Sequence, residues 1–168
     1  MNKRLLILIL TSLLTLTSCG SSKKDNEYYI SYVGKKLGVD IPSDTSIEYE
    51  ENYGWFGDGE LFAKVVFQED EESIDTGMGL SNGYWKPLPV PNIISLRIFG
   101  GEYDGKHYNY GDDSMKPAQK VTDGVYFFED RADYSSKGKP FLGRASYNFT
   151  FAIYDFKKHT LYFFKCDS

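Results

Sequence analysis

The stretch YNFTFAIYDFKKHTLYFFKC, residues 147–166, decides the fold. Its first half alternates, placing Phe149, Phe151 and Ile153 on one side of an extended chain, the period-two signature of a strand. Asp155-Phe156-Lys157-Lys158-His159 supplies the polar turn, and Thr160 to Cys166 returns. Aromatic side chains fall at both parities of the return. That pattern belongs to an interior strand buried on both faces. A C-terminal β-hairpin whose return strand lies inside a sheet is therefore expected.

Working towards the N-terminus, Val125–Glu129 predicts a strand, as does Ile93–Phe99. Between them, residues 100–123 are rich in Gly, Asp, Asn and Lys and read as one long polar loop, a kind of connection that is often functional. Gly83-Tyr84-Trp85-Lys86-Pro87-Leu88-Pro89-Val90-Pro91 cannot be a central strand, because proline has no N–H to give the ladder. It reads as an extended segment covering the sheet. Residues 45–53 and 60–68 predict a hairpin around the glycine-punctuated turn Gly54-Trp55-Phe56-Gly57-Asp58-Gly59. Residues 69–77 are acidic and read as a solvated loop or helical turn. Upstream, Tyr29, Ile30, Val33 and Leu37 recur at helical spacing, with acid at the start and Gly38 at the stop. A helix over about residues 25–37 follows. The expected fold class is α+β: one N-terminal helix packed on a mainly antiparallel sheet of about 5–6 strands.

The start of the chain differs in character. Lys3 and Arg4 precede the largely apolar run Leu5–Leu16, which is too short to span ~30 Å of hydrocarbon and has the length and flanks of a signal-peptide core. It ends in Leu16-Thr17-Ser18-Cys19, which resembles the lipobox of bacterial lipoproteins. The resemblance implies cleavage before Cys19 and a diacylglycerol on its thiol. Residues 1–18 would then be a signal peptide, and residues 19–24 a lipidated Cys with a flexible tether. Residues 25–168 would form a single extracytoplasmic domain, anchored to the bilayer on the outer face of the cell membrane or in an outer membrane. Two or three acyl chains on one residue suffice to anchor stably. Three later segments, around Trp85–Pro89, Gly124–Arg131 and Tyr147–Tyr162, are similar to small uncharacterised lipoproteins of Gram-positive bacteria. That similarity implies a shared fold and carries over no catalytic residue.

Composition narrows the partners. Residues 19–168 hold 17 basic against 24 acidic side chains, a balance opposed to nucleic-acid binding, which needs basic patches. The 28 aromatic residues supply ample core. With Cys19 lipidated, Cys166 is alone, so no intramolecular disulfide is expected, and it reads as a small, partly buried residue closing a strand.

Chemistry-bearing patterns are sparse. Gly79-Leu80-Ser81-Asn82-Gly83 matches G-x-S-x-G, but that motif works only between a buried strand and a helix, and a proline-rich segment follows it. His107 lies near Asp104, Asp112 and Asp113, where Lys106 would repel a metal, so a polar surface loop is expected and no metal or other cofactor is assigned. His159 falls in a solvated turn. Among the 24 acids, Glu129, Asp130 and Asp133, which follow a strand, are the best candidates for paired carboxylates in hydrolysis. The glycine-flanked aromatic pairs Trp55-Phe56 and Tyr84-Trp85 either cap the core or display rings for a protein, peptide or glycan. The function expected is a non-enzymatic binding, accessory or immunity-type module. An envelope hydrolase and a structural envelope component are the alternatives.

Overall fold

The computed structural model describes residues 23–54, 57–68, 84–108, 113–133 and 138–168. Helix α1 (Lys23–Leu37) leads into the hairpin β1 (Ser46–Tyr53) and β2 (Gly59–Val66). After the short strand β3 (Trp85–Pro87) come helix α2 (Asn92–Phe99) and a small hairpin, β4 (Gly101–Tyr103) and β5 (Lys106–Tyr108). A 3-10 turn (Asp113–Met115) runs into helix α3 (Lys116–Gln119), followed by β6 (Gly124–Asp130). The hairpin β7 (Asn148–Asp155) and β8 (Thr160–Asp167) closes the chain. The fold is α+β, as expected.

Six strands form one antiparallel sheet in the order β1-β2-β8-β7-β6-β3, and β4-β5 form a separate pair. The return strand β8 is interior, as expected, flanked by β2 and β7. Leu161 and Phe163 of β8 face α1 together with Ala63, Val65, Ala152 and Phe127. Tyr162, Phe164 and Cys166 face α2 and α3 together with Phe149, Phe151 and Ile153. Helix α1 sits on the first face because Ile30, Val33 and Leu37 form one buried stripe at helical spacing. Cys166 is fully buried at the end of β8.

Two expectations are corrected. Residues 93–99 form a helix. Pro91 accepts the N–H of Ile94 and Ser95 at 3.0 and 2.9 Å to open it, and Gly100, at φ 74°, closes it. A short apolar run does not distinguish a buried helix from a strand by periodicity, and the punctuation decides. The stretch 100–123 is also not one irregular loop. Asp104 (φ 50°) and Gly105 (φ 69°) make the left-handed turn that pairs β4 with β5, and α3 follows. Segment 84–91 does keep off the sheet centre: β3 is the outermost strand, pairing Pro87 opposite Val125 of β6, where a missing N–H costs no interior ladder bond.

Candidate functional site

Register places chemistry in rows across the α1 face. The row Tyr49, Ala63, Phe163, Ala152, Phe127, Trp85 is almost wholly apolar and lies within the first core. Two residues along, the row Glu51, Leu61, Lys165, Thr150, Glu129 turns polar. Beyond it lie Tyr53 and Asp167. Helix α1 brings Tyr28, Tyr29 and Tyr32 over this polar border. The result is a cavity of about 270 Å³ whose walls are those three tyrosines with Tyr53, Glu51 and Lys165, and whose floor is Leu61.

The rings are mutually braced. Tyr29 stacks on Tyr49 with centroids 3.9 Å apart and meets Tyr28 edge-on at 5.1 Å. Tyr28 and Tyr32, one helical turn apart, lie near parallel at 6.2 Å, and Tyr28 is 62% exposed. The Tyr29 hydroxyl donates to Glu51 Oε2. Burial, reinforced by that carboxylate, raises the Tyr29 pKa far above the ordinary phenol value, so it stays neutral.

Lys165 is held from two sides. Its Nζ donates to Tyr53 Oη at 3.1 Å and to Asp167 Oδ2, and lies 5.3 Å from the Tyr53 ring centroid. Burial alone would lower the Lys165 pKa. The bonds to Asp167 and Tyr53 outweigh burial and hold the ammonium protonated. Burial would raise Asp167, but bonds from Lys165 and Arg131 outweigh it and keep the carboxylate ionised. Arg131 reaches Asp167 Oδ1 at 2.6 Å, Thr150 Oγ1 at 3.1 Å and the Phe149 carbonyl at 3.1 Å. A lysine so fixed in its charged form is a poor nucleophile or base, because both roles need the neutral amine. In that form Lys165 offers the pocket a hydrogen-bond donor and a fixed positive charge.

The carboxylates expected for hydrolysis do not converge. Glu129 is exposed on the α1 face, and neighbouring Asp130 points to the opposite face, as the alternation of a strand requires. There Asp130 accepts from Arg144 at 2.7 Å and from the Ala132 N–H at 3.1 Å, a structural assignment. Asp133 is exposed on the loop after β6. The displayed-ring reading of Trp85 is corrected. Trp85 is 1% exposed, because its register partner is Phe127 inside the first core. Tyr84 is displayed, 61% exposed, with its ring 6.1 Å from that of Phe127. Trp55, Phe56, Cys19, the acidic segment 69–77 and the G-x-S-x-G segment 79–83 lie outside the described residues. His107 is exposed 3.8 Å from Glu102, and among the described residues no three His, Cys, Asp or Glu side chains group to hold a metal.

A second, broader groove of about 510 Å³ opens on the other face of β1 and β2, along Glu48, Glu50, Phe62 and Lys64. Its charged groups are already paired. Lys64 bonds Glu48 at 3.1 Å and Ser114 bonds Glu50 at 3.1 Å. No sequence pattern marks the tyrosine pocket, because its parts come from α1, β1, β2 and β8. The one local signal is Tyr28 and Tyr32 at i, i+4 beside the apolar stripe of α1. Compared with protein-family models, curated proteins and solved structures, the chain matches none.

Proposed function

We propose that this chain is a non-enzymatic binding module, tethered through lipid on Cys19 at the outer face of the cell membrane, that captures its ligand in the tyrosine pocket. One observation carries the reading. Tyr28, Tyr29, Tyr32 and Tyr53 surround a cavity whose only lysine is locked as an ammonium by Asp167. Tyrosine offers large, stiff contact area with a polar tip, which suits it to recognition of small ligands and of peptide or glycan ends. The hydrolase alternative gains no support, since Glu129 and Asp130 leave the sheet on opposite faces.

Placement adds to the reading. Helix α1 begins at Lys23, four residues after Cys19, and four extended residues reach at most ~14 Å. A lipid on Cys19 would therefore keep the pocket close to the bilayer surface. No helix of the described residues is long and apolar enough to cross a membrane, so attachment in this account rests on the lipid. Cys19→Ala should abolish incorporation of a fatty-acid probe and leave a longer precursor. Labelling that persists in the variant would falsify the tether.

The binding half is tested with the detergent-solubilised full chain immobilised on beads. Peptide and glycan fragments released from the envelope are retained by the wild type and lost with Tyr28→Ala/Tyr32→Ala. Equal retention by both proteins removes the pocket from the account.

A further inference from the structure

We propose that the pocket's ligand is a small quaternary ammonium compound, seated against the exposed ring of Tyr28 with the Glu51 carboxylate as counter-ion. This deepens the binding reading above and rests on it.

Size comes first. At about 270 Å³ the cavity is just below the range of pockets that hold drug-sized molecules, so it fits a compact head group. Charge comes second. The faces of phenol rings carry negative potential and attract cations within ~6 Å of the centroid. Two of these rings already hold cations of the protein itself. Lys165 Nζ is 5.3 Å from the Tyr53 centroid, and Lys36 Nζ is 5.8 Å from that of Tyr32. Glu51 adds a carboxylate at the wall, backed by Tyr29, whose raised pKa keeps it a hydrogen-bond donor and not a second anion. Among the described residues Lys165 is the one cation of the lining, and it pairs with Asp167, a carboxylate that Arg131 also holds. An anionic ligand would meet ring faces and Glu51, with the ammonium already engaged.

Hydrogen-bonding capacity comes third and separates the kinds of ammonium. A primary ammonium has three N–H donors to satisfy. The Glu51 carboxylate is shared with Tyr29, and the Tyr53 hydroxyl already accepts from Lys165. A quaternary ammonium has no N–H, asks for no acceptors and presents its charge through apolar methyl groups, which ring faces and Leu61 complement.

The test is a titration of the full chain in maltoside micelles, following the tyrosine ring signals by NMR. The ligands are choline and its uncharged isostere 3,3-dimethylbutan-1-ol. Choline should saturate the Tyr28 and Tyr32 shifts. The isostere should bind at least ~10-fold more weakly, since an aromatic site discriminates on charge by about 1–2 kcal/mol. Glu51→Gln, an isosteric change at an exposed site on β1, should weaken choline by a similar factor. Tyr28→Leu, which keeps an apolar side chain but removes the π face, should weaken it too. Equal affinity for the isostere, unchanged affinity in both variants, or no saturation by choline overturns the proposal. If choline fails while envelope fragments are still retained in a Tyr28- and Tyr32-dependent way, the binding reading stands without the ammonium. A soluble short-chain phosphatidylcholine separates the sources. Competition with choline points to a lipid head group, and lack of competition to a free solute.

Discussion

At the scale of single residues, the sequence was most legible where one environment dominates. Cys166 follows a strand whose side chains are buried on both faces, and it is buried. Its surroundings make it inert. Burial pushes the thiol up to about 11, and the Arg97 guanidinium, 3.3 Å from Sγ, opposes this without reversing it. The thiolate is the reactive form. Labelling of the native protein at pH 8 by a water-soluble thiol reagent should therefore be at least ~100-fold slower than in denaturant, and prompt native labelling would contradict the placement. The pH dependence has a definite sign. A folded pKa raised above the ordinary 9.0 stabilises fully below pH 9, and the contribution is lost as pH climbs from 9 to about 11. Asp167 works in the other direction: its lowered pKa stabilises above the ordinary 3.8 and is lost as pH falls below it. Arg131→Ala removes one of the two cations that hold Asp167. It should cost about 2 kcal/mol at neutral pH and move the acid unfolding midpoint upward, read by circular dichroism. Trp85 and Tyr84 were less legible. Adjacent in sequence and both beside glycine-rich chain, they part because β3 pairs with β6, a contact no local pattern reveals.

At the scale of elements, success followed length and regularity. Helix α1 and strands β1, β2 and β7 carry a repeated apolar period, β6 and β8 carry apolar runs buried on both faces, and each lies where its pattern puts it. Helix α2 was misread because IISLRIF is short and apolar at every parity, so only Pro91 and Gly100 tell its type. The β4–β5 hairpin had a readable signal in Asp104-Gly105, a pair suited to a two-residue turn with both residues left-handed. The density of polar residues around it masked that signal. Gly105 sits at φ 69°, where any side chain is strained. Gly105→Ala should raise hydrogen exchange of the amides over 101–108 by the equivalent of ~1 kcal/mol. The six-stranded sheet should keep its protection, because β4 and β5 form a separate pair. Loss of protection throughout the sheet would show that the hairpin is wired into the main core.

At the scale of the whole molecule, the architecture follows from one strand. β8 pairs with β2 on one side and β7 on the other, and both of its faces are core, so the sheet assembles around the C-terminal hairpin. Phe163 lies at the middle of that strand and is fully enclosed. Phe163→Ala should cost about 3–5 kcal/mol in denaturant unfolding. A loss under about 1 kcal/mol would contradict the burial of β8 on the α1 face. The same topology makes the pocket. Lys165 belongs to the last strand and Tyr28 to the first helix, and only the β2–β8 pairing carries Lys165 and Asp167 to the side of Glu51 and Tyr53. No stretch of sequence holds the site, so its composition could be read only once the register was known. Under the proposed function, this junction of the first and last elements is where ligand binds. That placement is tested most directly by mapping NMR chemical shifts over the full chain as solubilised envelope fragments are added. Shifts should concentrate on Tyr28, Tyr29, Tyr32, Tyr53 and Glu51. Shifts concentrated at Glu129–Asp133 or along the Glu50–Ser114 groove, with the tyrosines unmoved, would contradict it.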